Sequence, residues 1–263
     1  MNTFQIKKYV VFRAIAKKGG HGVHSPFVFD LINNVIENNG VFYDFDKIED
    51  IRKELLQNDN TIKINDLGAG SKKFSSEERK ISDIAKYSLK SAKQASFVMR
   101  IANYINAENI IEVGTSLGIT TLYLSLLKEA NITTIEGDEN IFNIADNNFK
   151  KLKTKNINNI CANFDDVLPE IINKTDRVDM AFVDGNHTKE ATLRYFELLK
   201  QKVHKNSVLI FDDIYWSKGM FEAWEIIKKD SKVVVSIDLF HLGLVFFKEE
   251  MPKQDFYILS NNI

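Results

Sequence analysis

The sequence predicts an α/β protein with a doubly wound, mostly parallel sheet, an antiparallel strand near the C-terminus and a helical N-terminal extension. Three observations lead there. Between 109 and 230, short apolar runs alternate with segments whose apolar residues recur every three or four positions. Helical connections of that length return each strand parallel to the last and cover both faces of a sheet. Before residue 91 the helical spacing stands alone. After 231, "KVVVSIDLF" and "LGLVFFK" follow each other with no helix between them, so at least one strand there runs antiparallel.

Taken in order, Phe4, Tyr9, Val10, Phe12 and Ile15 make a rough helical stripe over 3–18. The Gly and Pro residues of "GGHGVHSP" (19–26) end it. Further helices are expected at 27–38, 46–57, 77–90 and 92–105. "NIIEV" (109–113) is a short buried strand and "ITTLYLSLLKEA" (119–130) a helix. A strand at 131–137 and a helix at 139–152 follow. Next come a strand at 157–163 and a turn leading into "VLPEIINK". The series closes with a strand at 177–185, a helix at 189–203, a strand at 207–213 and a helix at 218–230. Residues 1–90 thus read as a helical extension or lid, apolar enough to pack on the core near the ligand face. Residues 91–263 read as the α/β domain.

Composition excludes several classes. The 263 residues are 44% hydrophobic and carry a formal net charge of -1, unlike a nucleic-acid binder. Cys161 is the only cysteine, so no disulfide framework exists and a reduced compartment is expected. No apolar run approaches the roughly 18 residues of a membrane span. The N-terminus lacks the long apolar region and cleavage site of a signal peptide. The expectation is a soluble cytoplasmic protein with no nucleic-acid or membrane partner, in which Lys7, Lys8, Lys17 and Lys18 read as a solvated helix face, with a membrane-surface contact as the weaker alternative. Oligomeric state is open, and a homodimer is compatible with the sequence.

"DLGAGS" (66–71) and "EVGTSLG" (112–118) both offer a glycine loop after an apolar run. A nucleotide-like cofactor needs a loop at the carboxyl end of the first strand and an acid ending the next, to accept from ribose hydroxyls. Only the second loop meets both demands. Gly114 and Gly118 lie between strand and helix, and Glu136 ends the following strand, 24 residues after Glu112. "DLGAGS" reads as a structural turn or a wall of the active site.

"IIEVGTSLGITTLYLS", "TTIEGDE", "FVDGNHTKEATLRYFELL" and "VLIFDDIYW", in that order, resemble the class I S-adenosylmethionine-dependent methyltransferases. Among these they look like the small-molecule O-methyltransferases related to catechol O-methyltransferase. The resemblance spans roughly 91–250 and implies a Rossmann-like domain using S-adenosylmethionine to methylate a hydroxylated small molecule. It implies that Glu112, Gly114 and Gly118 line the methionine moiety, with Thr115 and Ser116 of the same loop. It places Glu136 on the ribose with Gly137 beside it, and Asn163, Phe164 and Asp165 near the adenine. Asp165 reads equally well as part of a helix start. The loop departs from the G-x-G-x-x-G dinucleotide pattern, against an NAD-dependent oxidoreductase. The other alternative, a non-catalytic cofactor-binding module, leaves the following acids without a purpose.

Asp184 ends one strand, and Asp212 and Asp213 end the next, so three carboxylates are expected on the ligand face. Methyl transfer to a hydroxyl requires deprotonation, which a bound divalent cation and a nearby base both favour. Oxygen ligands suit Mg²⁺. Asp184, Asp212 and Asp213 are the candidate ligands, with helix caps or substrate contacts as the alternative. His187, three residues after Asp184, stands where the catechol enzyme has a lysine base; Asp184 and His187 are the candidate catalytic residues, and Asp184 is also a candidate cofactor-binding residue. Tyr215 and Trp216 are candidate substrate walls or core residues. His21 and His24 read as exposed or loop-bonded, and Lys189 as a solvated helix residue.

Overall fold

The computed structural model describes residues 2–38, 40, 44–64, 78–260 and 262. "DLGAGS" lies outside them.

Helix α1 (Thr3–Ile15) starts at a capping box: the Asn2 side chain accepts from Gln5 N–H, and the Gln5 side chain accepts from Asn2 N–H. After β1 (Lys17–Lys18), Ser25 caps α2 (Pro26–Leu31), with proline in the first turn where no N–H is needed. The chain continues as a π-helical turn (Ile32–Ile36), with Glu37 N–H reaching the Ile32 carbonyl at 2.8 Å. Next come α3 (Phe45–Leu56), β2 (Thr61–Lys63), β3 (Glu78–Lys80), α4 (Ile81–Ser88) and α5 (Ala92–Tyr104). The alternating region holds β4 (Asn109–Val113), α6 (Ile119–Leu124), β5 (Asn131–Glu136), α7 (Glu139–Lys151), β6 (Ile157–Cys161) and α8 (Phe164–Lys174). It continues with β7 (Met180–Val183), α9 (Lys189–Leu199), β8 (Val208–Asp212) and α10 (Lys218–Lys229). The chain ends in β9 (Val235–Asp238), β10 (Leu242–Phe246) and β11 (Gln254–Leu259).

Some expectations shift. Helix α6 stops at Leu124, where the Ser125 hydroxyl donates to the Leu122 carbonyl at 2.8 Å. The helix expected at 77–90 starts only at Ile81, because β3 pairs with β2. The turn before "VLPEIINK" is already helical in α8.

The chain divides into two compact units, Met1–Asn39 with Leu168–Ile263, and Gly40–Val167. The division does not follow a boundary at residue 90, since α1 and α2 belong with the C-terminal strands.

In the first unit the strand order is β1-β11-β9-β10-β8-β7. Strands β7 and β8 are parallel, β10 is antiparallel to both β8 and β9, and β11 is parallel to β9. The antiparallel strand expected near the C-terminus is therefore β10. Helix α1 packs through Tyr9 and Phe12, whose rings lie 4.9 and 5.5 Å from that of Phe240. Buried Asp238 accepts from Tyr215 Oη (2.9 Å), Trp224 Nε1 (3.0 Å) and Phe240 N (2.9 Å). Burial raises its carboxyl pKa and these donors pull it back. Tyr215 is thereby a core residue, stacked on Phe240 at 4.6 Å.

In the second unit β4, β5 and β6 run parallel, and β2–β3 is a separate hairpin. Tyr123 on α6 donates to Glu49 on α3 at 2.8 Å, and Arg52 braces the same carboxylate at 2.9 Å. Among the described residues no helix is long and apolar enough to cross a membrane.

Candidate functional site

The loop after β4 is shaped by left-handed backbone at Gly114 (φ 104°), Ser116 (φ 49°) and Gly118 (φ 83°). Gly114 and Thr115 N–H both reach the Ile135 carbonyl of β5, at 3.0 and 3.1 Å. Gly118 serves packing: a Cβ there would stand 2.6 Å from the Phe149 ring of α7. Glu136 fastens the loop, accepting from Ser116 N–H at 2.8 Å through one oxygen and from Asp138 N–H at 3.1 Å through the other. Burial raises its carboxyl pKa, against the backbone N–H groups of Asp138, Ser116 and Gly137. The sequence marked Glu136 only as a ribose acceptor. Its fastening role shows in the contacts alone.

Glu112 is fully buried. Its Oε2 accepts from Thr121 at 2.5 Å and from Thr134 at 2.7 Å. With Thr134 donating to Glu112, the 2.6 Å contact with Thr115 makes Thr115 the donor, and a chain of hydroxyls ends on the carboxylate. Glu112 Oε1 is buried with no hydrogen-bond partner among the described residues. Burial pushes the carboxyl up to about 7. An unpartnered buried acceptor of this kind fits a cationic donor such as an α-amino group. The sequence placed Asn163, Phe164 and Asp165 by the adenine. The Asn163 side chain accepts from Asp165 N–H at 2.9 Å and shapes the start of α8, Phe164 is half-buried, and Asp165 is exposed.

The second centre belongs to the other unit. The β7–β8 register sets Val183 opposite Phe211 and so puts Asp184, the next residue, beside Asp212. One ligand atom from each of Asp184, His187 and Asp212 lies within 4.8 Å of the others, and His187 Nε2 is 3.7 Å from Asp184 Oδ1. Asp213 does not join this group. Its backbone is left-handed (φ 52°) and turns the chain, and its carbonyl accepts from Trp216 N–H at 2.8 Å. The cluster is therefore two carboxylates and an imidazole, in place of three carboxylates with a separate base. Left-handed Asn186 (φ 46°) presents His187, and Thr188 caps α9. Lys189 is not merely solvated: it donates to Glu222 on α10 at 2.7 Å, tying α9 to α10 and holding the Glu222 carboxyl below its usual range. His21 and His24 are exposed, and Trp216 is half-buried.

Residues 111–214 match the model of a family described as "Methyltransferase domain". Over that stretch the chain is similar to methyltransferase domains. The matched stretch contains both centres, Glu112 with Glu136 and Asp184 with His187 and Asp212. Solved structures share its fold. One is the O-methyltransferase TomG of Streptomyces achromogenes, in complex with S-adenosylmethionine (19% identity, 61% of this chain and 82% of that one, TM-score 0.54). Another is an O-methyltransferase of Bacillus cereus with S-adenosylhomocysteine (21%, 61% and 83%, TM-score 0.53). A third is the S-adenosylhomocysteine-bound methyltransferase PaMTH1 of Podospora anserina (14%, 81% and 100%, TM-score 0.56). At these identities the likeness is one of fold, and it bears out the doubly wound α/β class. No curated protein matches the chain significantly.

Proposed function

We propose that the chain is a methyltransferase that moves a methyl group from S-adenosylmethionine to a hydroxyl of a small molecule, with a divalent cation at Asp184 and Asp212 and with His187 as base. One observation carries this reading: the matched stretch 111–214 holds a glycine loop fastened by Glu136 and a carboxylate–imidazole cluster at Asp184, His187 and Asp212. Solved proteins of this fold that bind S-adenosylmethionine or its demethylated product support the donor.

Glu112 Oε1 would take the donor's amino group, and Glu136 its ribose, with lone pairs left after the Ser116 and Asp138 amides are served. S-adenosylmethionine, when bound, supplies an electrophilic sulfonium methyl. Asp184 and Asp212 fit Mg²⁺, which takes one or two carboxylates and keeps open positions for water and substrate. Its charge would favour the ionised form of an acceptor hydroxyl. His187 takes the hydroxyl proton on its imidazole nitrogen, and Asp184, 3.7 Å away, stabilises the imidazolium that results.

The clustering of all three groups within 4.8 Å supports a second reading, His187 as a third ligand, which suits cations that accept nitrogen. Turnover on a panel of phenols and other hydroxylated acceptors, with Mg²⁺ or a chelator, tests the proposal. Activity lost in chelator and restored by Mg²⁺ is expected. Full activity in excess chelator removes the cation. His187→Ala with Mg²⁺ affinity unchanged supports the base, and lost affinity supports the ligand.

A further inference from the structure

Helix α1 has two apolar faces, and the structure covers one. Phe4, Tyr9 and Phe12 turn inward onto Phe221 and Phe240, with Lys8 Nζ 3.5 Å from the centre of the Phe221 ring. The opposite face carries Ile6, Val10 and Ala14 at four-residue spacing, with Val11 and Ile15 alongside. Ile6, Val10, Val11 and Ile15 are 52, 64, 56 and 51% exposed. Ile6 with Val10 and Val11 with Ile15 are two i,i+4 aliphatic pairs on one short helix, with Lys7 and Ala14 between them, a strip unlike the scattered single exposures normal for a surface.

Charge around the strip is one-sided. Residues 2–29 contain Lys7, Lys8, Arg13, Lys17 and Lys18 but none of the chain's 36 acidic residues. Lys7, Arg13 and Lys18 are exposed. Lys17 donates to the Gly22 carbonyl and holds the following loop against the helix end. In that loop Gly20 seats the half-exposed Phe29 ring, which lies 2.7 Å from where a Cβ would stand.

We propose that α1 docks on an anionic lipid surface. Its strip enters the boundary between headgroups and acyl chains, while Lys7, Arg13 and Lys18 meet the headgroup charges. The combination of an apolar strip with cations beside it is what an interfacial helix requires, since neither signal holds a protein at a bilayer alone. A second copy of the chain fits less well. A two-fold contact through this face sets each basic rim against the same basic rim, with no acid in 2–29 to pair with it. Docking of this kind needs no membrane-spanning segment.

Cosedimentation of the full chain with vesicles tests this, using phosphatidylcholine alone and phosphatidylcholine mixed with phosphatidylserine, at low and high salt. Binding to the phosphatidylserine vesicles, lost at high salt and absent on phosphatidylcholine alone, is expected. Ile6→Asp with Val10→Asp should abolish it. Lys7→Glu with Lys18→Glu should weaken it about 25-fold or more, from about fivefold per cation removed. All four side chains are exposed, and unchanged thermal melting confirms that the variants fold. Absence of binding, equal binding to both vesicle types, or binding that survives Ile6→Asp with Val10→Asp overturns the proposal. So does a dimer that those substitutions convert to monomer with vesicle binding unchanged.

Discussion

The carboxylates of the two units are held in opposite ways. Glu112 and Glu136, in the Gly40–Val167 unit, are enclosed by donors from their own strands and loop: two threonine hydroxyls on one, two backbone amides on the other. They are part of the scaffold, with Glu112 Oε1 left over. Asp184 and Asp212, in the other unit, are brought together with His187, groups that a shared cation or proton stabilises. Enclosed carboxylates suit binding of a fixed donor, and clustered ones suit exchange of charge during a reaction. Substitutions in the first centre should therefore act on affinity, and those in the second on turnover.

The largest effect is expected at the second centre. His187→Ala should lower kcat about 10²–10⁴-fold, the range for loss of a general base. Donor affinity measured by calorimetry should stay the same, and a parallel loss of affinity would erase the distinction between the centres. The deficit should shrink as pH rises and the acceptor ionises unaided.

Next in size, Glu136→Ala should weaken donor binding at least about tenfold, by about 1.5–3 kcal/mol, since both the ribose acceptor and the loop fastening are lost. Glu136→Gln, which keeps one acceptor for an amide, should fall between. Unchanged affinity in both variants would break the assignment of the loop.

Glu112 sharpens the comparison through pH. Burial raises its carboxyl from 4.5 unfolded to about 7 folded, so the folded chain holds the proton more tightly. Its contribution to stability is complete below pH 4.5 and is lost as pH rises through about 7, a loss of about 3 kcal/mol by pH 8. Glu112→Gln should flatten that decline, giving a higher melting temperature than wild type at pH 8 with no ligand present. If the donor's amino group requires ionised Glu112, donor affinity should fall about tenfold from pH 8 to pH 6. A pH-independent affinity would detach Glu112 from the donor.

The smallest effect is expected at Asp213. Asp213→Asn keeps a residue tolerant of left-handed backbone and should change Mg²⁺ affinity by no more than about twofold. A loss matching that of Asp212→Asn would return Asp213 to the ligand set.

Strand ends are legible because apolar runs stop at a carboxylate, which makes Glu136, Asp184 and Asp212 identifiable, and Glu112 shows by standing just before the glycine loop. Asp212 and Asp213 were not separable, because the choice rests on a backbone φ of 52° that adjacent identical residues do not encode. Strand β11 escaped because Pro252 and charged residues precede it and its regularity comes from pairing with β9. Strands β2 and β3 escaped because Thr-Ile-Lys and Glu-Arg-Lys carry too little apolar alternation to show a period of two. Tyr215 stayed ambiguous until Asp238, 23 residues later, proved to be its acceptor.

The central claim is that the loop at 112–118, fastened by Glu136, binds the methyl donor. Calorimetric titration of the wild-type chain with S-adenosylhomocysteine, and separately with NADH, tests it most directly. Saturable one-to-one binding of S-adenosylhomocysteine with no heat from NADH is the predicted result. No binding of S-adenosylhomocysteine, or binding of NADH in its place, would contradict it.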